Sequence, residues 1–278
     1  MNTLEFTALV AMGSLLAGFL GSLTGLGGGV VLVPLLTLIF GVEIRYAIGA
    51  ALVSVIATSS GAAAAYVREG YSNIRVGMFL EIATTVGALV GAGVALYLHT
   101  SWIAIIFGWV LLYSAYSSFR QSPHPTEAQE PDRIASRLRM DSSYPTPAGF
   151  ESYHVRGVPV GFALMFVAGV LSGLLGIGSG AVKVLAMDKA MKLPFKVSTT
   201  TSNFMIGVTA AASAGIYLSR GYIDPGIAMP VMLGVLLGSL LGARVLAGAQ
   251  VRVLRIVFSL VITFLAIEMI YNGFAGKL

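Results

Sequence analysis

The sequence predicts an all-α, polytopic integral membrane protein, and the prediction rests on its composition, its long uncharged stretches and an internal duplication. Of the 278 residues, 56% are hydrophobic and only 10% are charged, whereas about a quarter of the residues in a soluble domain are charged. The formal charge of +5 is spread over single basic residues between apolar stretches, which gives no basic surface for nucleic acid. Cysteine is absent, which excludes disulfides and thiolate metal sites, and no metal or cofactor is predicted.

The uncharged stretches are long enough to cross a bilayer as helices. A hydrocarbon core about 30 Å thick takes roughly 20 helical residues, and a spanning backbone must satisfy its own hydrogen bonds in lipid. The stretches are too continuous for the alternating pattern of barrel strands, so we expect roughly 8 to 10 membrane segments. They comprise residues 6–42, 46–67, 76–98, 100–119, 158–182, 197–219, 225–243 and 256–276, with Glu81 and Glu268 as the acidic residues within them.

Residues 120–157 are rich in proline, serine and charged residues and predict a solvent-exposed linker. Prolines at five positions in this range prevent a continuous helix. The linker divides the chain into a first membrane repeat, residues 1–119, and a second membrane repeat, residues 158–278. A connector in water is the simpler interpretation, and a regulatory or partner-binding loop is the alternative.

The two membrane parts resemble each other when each residue is compared with the residue 151 positions later, without any gap. The matches cluster within four apolar segments instead of scattering along the chain. Internal duplication is the common architecture of secondary transporters, so we predict two related repeats. The first-half members of the matching pairs are Gly18, Leu20, Leu23, Gly25, Gly27, Gly29, Val31, Tyr66, Gly70, Tyr71, Gly87, Gly91 and Ala92.

Each repeat divides into five apolar segments, and an odd number predicts that the second repeat is inverted relative to the first. Most basic residues, those of the linker included, then lie on one side, which the positive-inside bias makes cytoplasmic. Both termini are expected outside. Residues 6–42 are barely long enough for two crossings, and a re-entrant hairpin of two short helices is the alternative. The basic residues on the cytoplasmic side are Arg68, Arg75, Lys192, Lys196, Arg252 and Arg255, and those opposite are Arg45, Arg220 and Lys277.

A glycine-rich break interrupts the first apolar stretch of each repeat at the same register, as GLGGG at residues 25–29 and GIGSG at residues 176–180. Non-helical backbone at membrane depth lines a cavity or is covered by protein, and the positive end of a half-helix there favours an anion. Close helix crossing, which small residues also permit, is the alternative. The candidate anion-binding residues of the breaks are Gly27, Gly28, Gly29, Gly178, Ser179 and Gly180.

Polar residues after the second break support an anion site. Lys183 occupies the position of Leu32 in the first repeat, and a lysine at membrane depth is a functional candidate. Snorkelling or a pair with Asp188 is the alternative. Residues 198–203 supply six consecutive hydroxyl and amide side chains, more than a helix cap requires, and the site is expected to be asymmetric. The further candidates are Thr199, Thr200, Thr201, Ser202 and Asn203, with Ser54 and Thr58 from the first repeat; Glu81 and Glu268 either carry a coupling proton or cap helix ends.

These motifs resemble the sulfite exporter TauE/SafE family, also called the toluene sulfonate uptake permease family. The resemblance rests on the two glycine motifs, on Val33-Pro34-Leu35-Leu36 and on the Thr-Thr-Thr-Ser-Asn run at residues 199–203. It implies a carrier of small sulfur-containing anions, such as sulfite or sulfoacetate, in a bacterial inner membrane. Ser179 and Leu185 depart from the family pattern, in which a glycine and a proline are usual.

The residues and the resemblance together predict a secondary transporter that exposes a midplane site alternately to each side. Export is expected because a negative interior drives an anion outward by about 2.3 kcal/mol per charge per 100 mV. A passive anion channel, or a carrier of another small organic anion coupled to protons or sodium, is the alternative. An enzyme is not expected, because His99, His124 and His154 lie at a segment end and in the linker. The expected partners are a small anion and the bilayer, and the oligomeric state is open, a homodimer included.

Overall fold

The computed structural model describes residues 3–24, 28–68, 71–119, 132–146, 149–246 and 251–277, and most of them are helical. The predicted helical fold is confirmed. The first repeat contains α1 (Thr3–Thr24), α2 (Gly29–Pro34), α3 (Ile44–Arg68), α4 (Ile74–Ala95) and α5 (Thr100–Phe119). The linker contains α6 (Arg133–Arg137) and the antiparallel strands β1 (Ser142–Thr146) and β2 (Gly149–Tyr153). The second repeat contains α7 (Val158–Leu175), α8 (Gly180–Leu185), α9 (Phe195–Ser219), α10 (Pro225–Leu246) and α11 (Val251–Phe274), and π-helical turns extend α2 over Leu35–Ile39 and α8 over Ala186–Ala190.

The described helices have the apolar surface of a membrane protein. Three of them are long and apolar enough to cross a bilayer, over Ile74–Ala95, Val158–Leu175 and Pro225–Gly242. Shorter apolar segments lie in α1, α2, α3, α5 and α11. Large apolar side chains point outward, and Trp109 and Phe264 are 62% and 63% exposed. Exposed apolar surface of this extent is a liability in water but is the normal lipid-facing surface of a membrane protein.

α8, α9, α10 and α11 begin at the positions that the 151-residue register predicts. α3 and α9 begin at Ile44 and Phe195, and α4 and α10 begin at Ile74 and Pro225. The packing shows the same correspondence. α1 packs against α10, and α7 and α4, which are their counterparts, pack against each other. The boundaries of these helices and their contacts therefore follow the register found in the sequence.

α3 and α9 form a central pair and run antiparallel to each other. Arg45 at the start of α3 lies over the ring of Tyr222, which follows α9, at 5.7 Å from the ring centre. Lys196 at the start of α9 lies over the ring of Tyr71, which follows α3, at 3.7 Å. The two cations and the two tyrosines are each 151 residues apart. The same cation–π contact is therefore made at both ends of the pair.

α2 folds back along α1 as a helical hairpin. The rings of Phe6 and Phe40 are 6.1 Å apart, so the end of the returning segment lies beside the start of α1. In the second repeat, the N–H of Arg156 donates to the carbonyl oxygen of Met191 at 3.1 Å, which brings the end of the α8 segment to the start of α7. Each returning segment, from residue 29 to 39 or from 180 to 190, is about 16 Å long at 1.5 Å per residue, about half a bilayer.

Glycines at the helix crossings bring the repeats into close contact. A Cβ atom added at Gly18 would overlap the backbone of Val235 on α10, and a Cβ added at Gly169 would overlap the backbone of Thr84 on α4. Small residues allow this approach between membrane helices. Close crossing is therefore the role of this matched pair of glycines, which lies outside the breaks.

Part of the linker packs against the ends of the membrane helices. We name residues 132–146 and 149–157 the linker cap. Met140, Tyr153 and Val155 of the cap are buried in an apolar core that includes Val76 of α4 and Val197 of α9. Residues 149–152 of β2 are exposed. The cap thus has one exposed face and one face packed against the ends of α4 and α9.

Asn73 joins the linker cap to α4 and α9. Its Oδ1 accepts the N–H of Val76 at 3.1 Å and so caps α4. Its Nδ2 donates to the carbonyl oxygen of Met140 and to the hydroxyl of Tyr153, both at 2.8 Å. Its own N–H donates to Thr201 Oγ1 at 3.0 Å. Burial raises the pKa of the Tyr153 hydroxyl, and the bond from Asn73 opposes that rise.

Candidate functional site

The break in the second repeat is a four-residue interruption between α7 and α8. Gly176 and Gly178 have φ angles of +68° and +69°, a conformation that glycine adopts without a steric cost. Ser179 also has a positive φ, +44°, and its hydroxyl donates to the carbonyl oxygen of Ala168 at 2.6 Å. The interruption is buried, so the chain leaves the helix at a position that is covered by protein, as non-helical backbone in a membrane requires.

The breaks of the two repeats contact each other. A Cβ added at Gly29 would lie 3.1 Å from the carbonyl oxygen of Gly176 and 3.4 Å from the Cα of Ile177. Gly28 and Gly29 are both buried. Gly27, with residues 25 and 26, lies outside the described residues. The described residues of the two motifs therefore meet at a buried contact.

Lys183 is completely buried, at 0% exposure, in the half-helix that follows the break. Its Nζ donates to Thr209 Oγ1 on α9 at 2.5 Å. The Thr209 hydroxyl lies 2.7 Å from Glu81 Oε1 on α4 and donates to it. We name Lys183, Thr209 and Glu81 the lysine cluster. Lys183 therefore does not snorkel to the surface. The acceptor that the structure gives its ammonium is Thr209 and not Asp188.

The two carboxylate oxygens of Glu81 differ in the number of hydrogen bonds that they accept. Its Oε1 accepts from Thr209 and also from the hydroxyl of Thr85 at 3.2 Å. Its Oε2 is buried and has no hydrogen-bond partner among the described residues. An ionised carboxylate can accept about four hydrogen bonds, and a buried oxygen without a donor is costly. The cluster therefore holds one ammonium, one bridging hydroxyl and one carboxylate with a free oxygen.

The two charged residues of the lysine cluster have apolar counterparts in the 151-residue register. The positions 151 residues away from Lys183 and Glu81 are Leu32 and Met232, while the counterpart of Thr209 is Thr58. The Thr58 hydroxyl donates to the carbonyl oxygen of Ser54, at 3.0 Å, within its own helix. The charged part of the site is thus built by α4, α8 and α9 alone.

Thr209 was not among the residues that the sequence indicates, because a single threonine in an apolar helix has no distinctive pattern. The register supplies the missing signal, since Thr58 was a candidate and Thr209 is its counterpart. Ser54, the other first-repeat candidate, is buried and its hydroxyl donates to the carbonyl oxygen of Ala50 at 3.0 Å. Both first-repeat candidates therefore bond within α3.

The hydroxyl run at the start of α9 makes contacts of three kinds. Thr199 donates to a carbonyl oxygen of its own helix. Thr200 donates to the carbonyl oxygen of Tyr71 at 3.1 Å, and Thr201 accepts the N–H of Asn73, so these two fix the segment between α3 and α4. Ser202 donates to the carbonyl oxygen of Gly180 at 3.3 Å and is the member that reaches the break. Asn203 is partly buried.

Glu268 lies apart from the contacts of the lysine cluster. It is partly buried on α11, where Asn272 of the same helix donates its Nδ2 to Glu268 Oε2 at 3.2 Å. Glu81, in contrast, is bonded to residues of two other elements through Thr209. Of the two acidic candidates, the structure brings Glu81 to the break.

A comparison with protein-family profiles gives a match over nearly the whole chain. The profile of the sulfite exporter TauE/SafE family matches residues 10–269. The chain belongs to this family. A TauE/SafE member of this kind is a membrane transporter, so the family resemblance and the transporter class predicted from the sequence are both confirmed.

Individual relatives agree with the family assignment. Two proteins of Bacillus subtilis (strain 168) are named probable membrane transporter proteins. YunE is 28% identical over 97% of this chain and 99% of its own length, and YdhB is 25% identical over 85% and 89%. Sulfite exporter TauE/SafE family protein 5 of Arabidopsis thaliana is 28% identical over 50% of this chain and 27% of its own length. No solved structure matches the chain significantly.

Proposed function

We propose that this TauE/SafE member is a secondary transporter of small sulfur-containing anions of the sulfite or organosulfonate type. The observation that carries the proposal is the fully buried ammonium of Lys183 beside a helix break. An ammonium has three N–H donors. The described residues give it one acceptor, the hydroxyl of Thr209, which leaves two donors for the oxygen atoms of an anion. The name of the family supports the substrate class.

The site would lie near the membrane midplane, between the two repeats. Lys183 would supply the positive charge, and the contact of Gly29 with Gly176 supports a site to which both breaks contribute. Ser202 would add a hydroxyl of the α9 run, since it already bonds to Gly180. In a site closed to water a charge-assisted hydrogen bond is stronger than a neutral one, so the lysine would provide most of the anion affinity.

Inverted repeats would provide the alternating access. The antiparallel contacts of Arg45 with Tyr222 and of Lys196 with Tyr71 support an inverted relation of α3 and α9. The hairpin geometry of α1 with α2 supports a first repeat that crosses the bilayer an odd number of times. The linker cap would then be cytoplasmic and both termini outside, in a bacterial inner membrane, as the basic residues favour. Export is the direction expected for an anion that moves without a compensating charge.

The test is transport of radiolabelled sulfite, thiosulfate and sulfoacetate into proteoliposomes that contain the purified protein. We expect saturable uptake that exchanges with unlabelled anion on the opposite side. Lys183→Met should lower it at least tenfold, because a methionine offers no donor and no charge. Lys189→Met is the matched control, since Lys189 is exposed on the same half-helix segment, and it should transport like the wild type.

Each other outcome is informative. Flux that does not saturate and shows no exchange would indicate a channel instead of a carrier. Normal transport by Lys183→Met would move the anion site away from the lysine cluster. The absence of flux for all three anions in the wild type would overturn the proposed substrate class.

A further inference from the structure

We infer that Glu81 binds a proton together with the transported anion, so that the carrier moves the two as a pair. The inference rests on the proposed function, because it takes Lys183 as the anion-binding cation. It adds a proton site with a named oxygen atom to that function.

The net charge of the lysine cluster changes when an anion binds. With Lys183 protonated and Glu81 ionised, the empty cluster has no net charge, and the Thr209 hydroxyl links the two groups. A monovalent anion bound to Lys183 would give the buried site a net charge of one negative unit. Uncompensated charge in the protein interior is costly. A proton on Glu81 restores neutrality, so the anion and the proton favour each other's binding.

The two carboxylate oxygens of Glu81 differ in their hydrogen bonds, and one of them can accept a proton. Oε1 accepts two hydroxyl groups, from Thr209 and Thr85, whereas Oε2 is buried without a hydrogen-bond partner among the described residues. Glu81 is 8% exposed, so water does not solvate this oxygen freely. A proton that adds to Oε2 converts the carboxylate to a carboxylic acid and leaves both bonds to Oε1 in place. The new O–H is then an additional donor, for which the oxygen atoms of a bound anion would be acceptors.

The other ionisable groups on the neighbouring elements are engaged elsewhere. α4 packs against α7 and α9, and α7 contains no ionisable side chain. On α9, Lys196 lies over the ring of Tyr71, and the hydroxyl of Tyr217 donates to the carbonyl oxygen of Gly173 at 3.3 Å. On α4 itself, Arg75 donates to a carbonyl oxygen of the linker cap. Lys183 is thus the charged group that meets Glu81 in the part of the chain that the structure describes.

Coupled binding changes what drives transport. A monovalent anion and a proton cross together without net charge, so the membrane potential no longer favours export. The direction then follows the product of the anion and proton concentrations on each side. Against an inward proton gradient, export would need an internal anion excess of about tenfold for each pH unit.

The experiment measures anion and proton movement in the same proteoliposomes. A pH-sensitive dye is trapped inside, the membrane potential is clamped at zero with potassium and valinomycin, and radiolabelled thiosulfate or sulfoacetate is added outside. Both anions are divalent between about pH 6 and pH 8, so one proton cancels one of their two charges, and the clamp removes the effect of the charge that remains. In the wild type we expect internal acidification with about one proton per anion, and an anion affinity that rises up to about tenfold per unit of falling pH.

Glu81→Gln keeps the size and the hydrogen bonds of the side chain but fixes it in an uncharged form. Anion entry that this variant still catalyses should bring no protons with it, and thermal unfolding in detergent checks that the variant is folded. Its anion affinity should not depend on pH. Glu268→Gln makes the same change in a partly buried membrane glutamate that bonds within its own helix, and it should acidify the interior like the wild type.

The outcomes separate this inference from the proposed function. Anion flux without internal acidification in the wild type would overturn the inference and leave the carrier standing. Proton movement that persists in Glu81→Gln would overturn it as well. No flux of either anion in the wild type would count against the proposed function itself, and the inference would fall with it.

Discussion

Replacing Lys183 by methionine tests whether the charge of the lysine stabilises the lysine cluster. The two hydrogen bonds through Thr209 measure 2.5 and 2.7 Å, so the ammonium nitrogen lies no more than about 5 Å from Glu81 Oε1. Opposite unit charges at this separation attract by roughly 3 kcal/mol at an effective dielectric constant of about 20. Lys183→Met removes the attraction and leaves a carboxylate uncompensated. We expect it to lower the free energy of unfolding by about 3 kcal/mol.

The assay is thermal unfolding of the purified protein in detergent near neutral pH. For a chain of this length a loss of 1 kcal/mol lowers the melting temperature by roughly 2 to 4 °C, so the expected decrease is roughly 6 to 12 °C. Lys183→Met combined with Glu81→Gln removes both charges. It should recover all but about 1 kcal/mol, because the remaining amide and hydroxyl can still bond. Lys189→Met should unfold like the wild type.

The double variant decides the physical cause. If it is as unstable as Lys183→Met, the loss comes from the packing of the lysine stem and not from its charge, and the reasoning is refuted. If it is stable but does not transport, the cluster stabilises the protein and binds the anion through the same ammonium.

Four further predictions concern single positions. Thr209→Val removes the bridging hydroxyl at nearly constant volume, and we expect at least a tenfold loss of anion exchange with less than about 2 kcal/mol of stability, measured by flux and thermal unfolding. Gly176→Ala places a side chain at a φ of +68° against Ile48, and should cost about 2 kcal/mol or more in the same unfolding assay. Asn73→Ala removes a helix cap and leaves buried partners unsatisfied, so it should cost about 2 to 3 kcal/mol and increase protease cleavage of the linker cap. Because the folded pKa of Tyr153 is raised, its contribution to stability is complete below the unfolded value near 10 and is lost as the pH rises above it; Tyr153→Phe should flatten this part of a stability–pH curve.

The sequence contained more information about helix boundaries than about side-chain partners. The 151-residue register, found from glycine and tyrosine matches, agrees with the first residues of α8, α9 and α10. The same register would have indicated Thr209 from Thr58 if it had been applied to each candidate. It could not indicate that Glu81 and Lys183 share one hydroxyl, because their elements meet only through the packing of the two repeats.

Several polar residues had roles that a linear pattern cannot separate. The run at residues 198–203 reads as one set of donors, but Thr200 and Thr201 hold the segment before α4 whereas Ser202 reaches the break. Glu81 and Glu268 are equivalent as single glutamates in apolar stretches. Their difference depends on which helix faces them, and this is a property of the tertiary structure. The buried face of the linker cap was hidden for the same reason, since its apolar residues are dispersed among prolines and charges.

The gapless correspondence between the repeats has a consequence for the transport cycle. If the repeats are inverted as proposed, the second state of the carrier is obtained when each repeat adopts the shape that its counterpart has in this structure. No described loop needs to be rebuilt for that exchange, because residues 29–68 and 71–95 have counterparts 151 positions later within matching elements or connections. Double electron–electron resonance between spin labels at paired positions would therefore report two distance sets that trade places when the anion gradient is reversed.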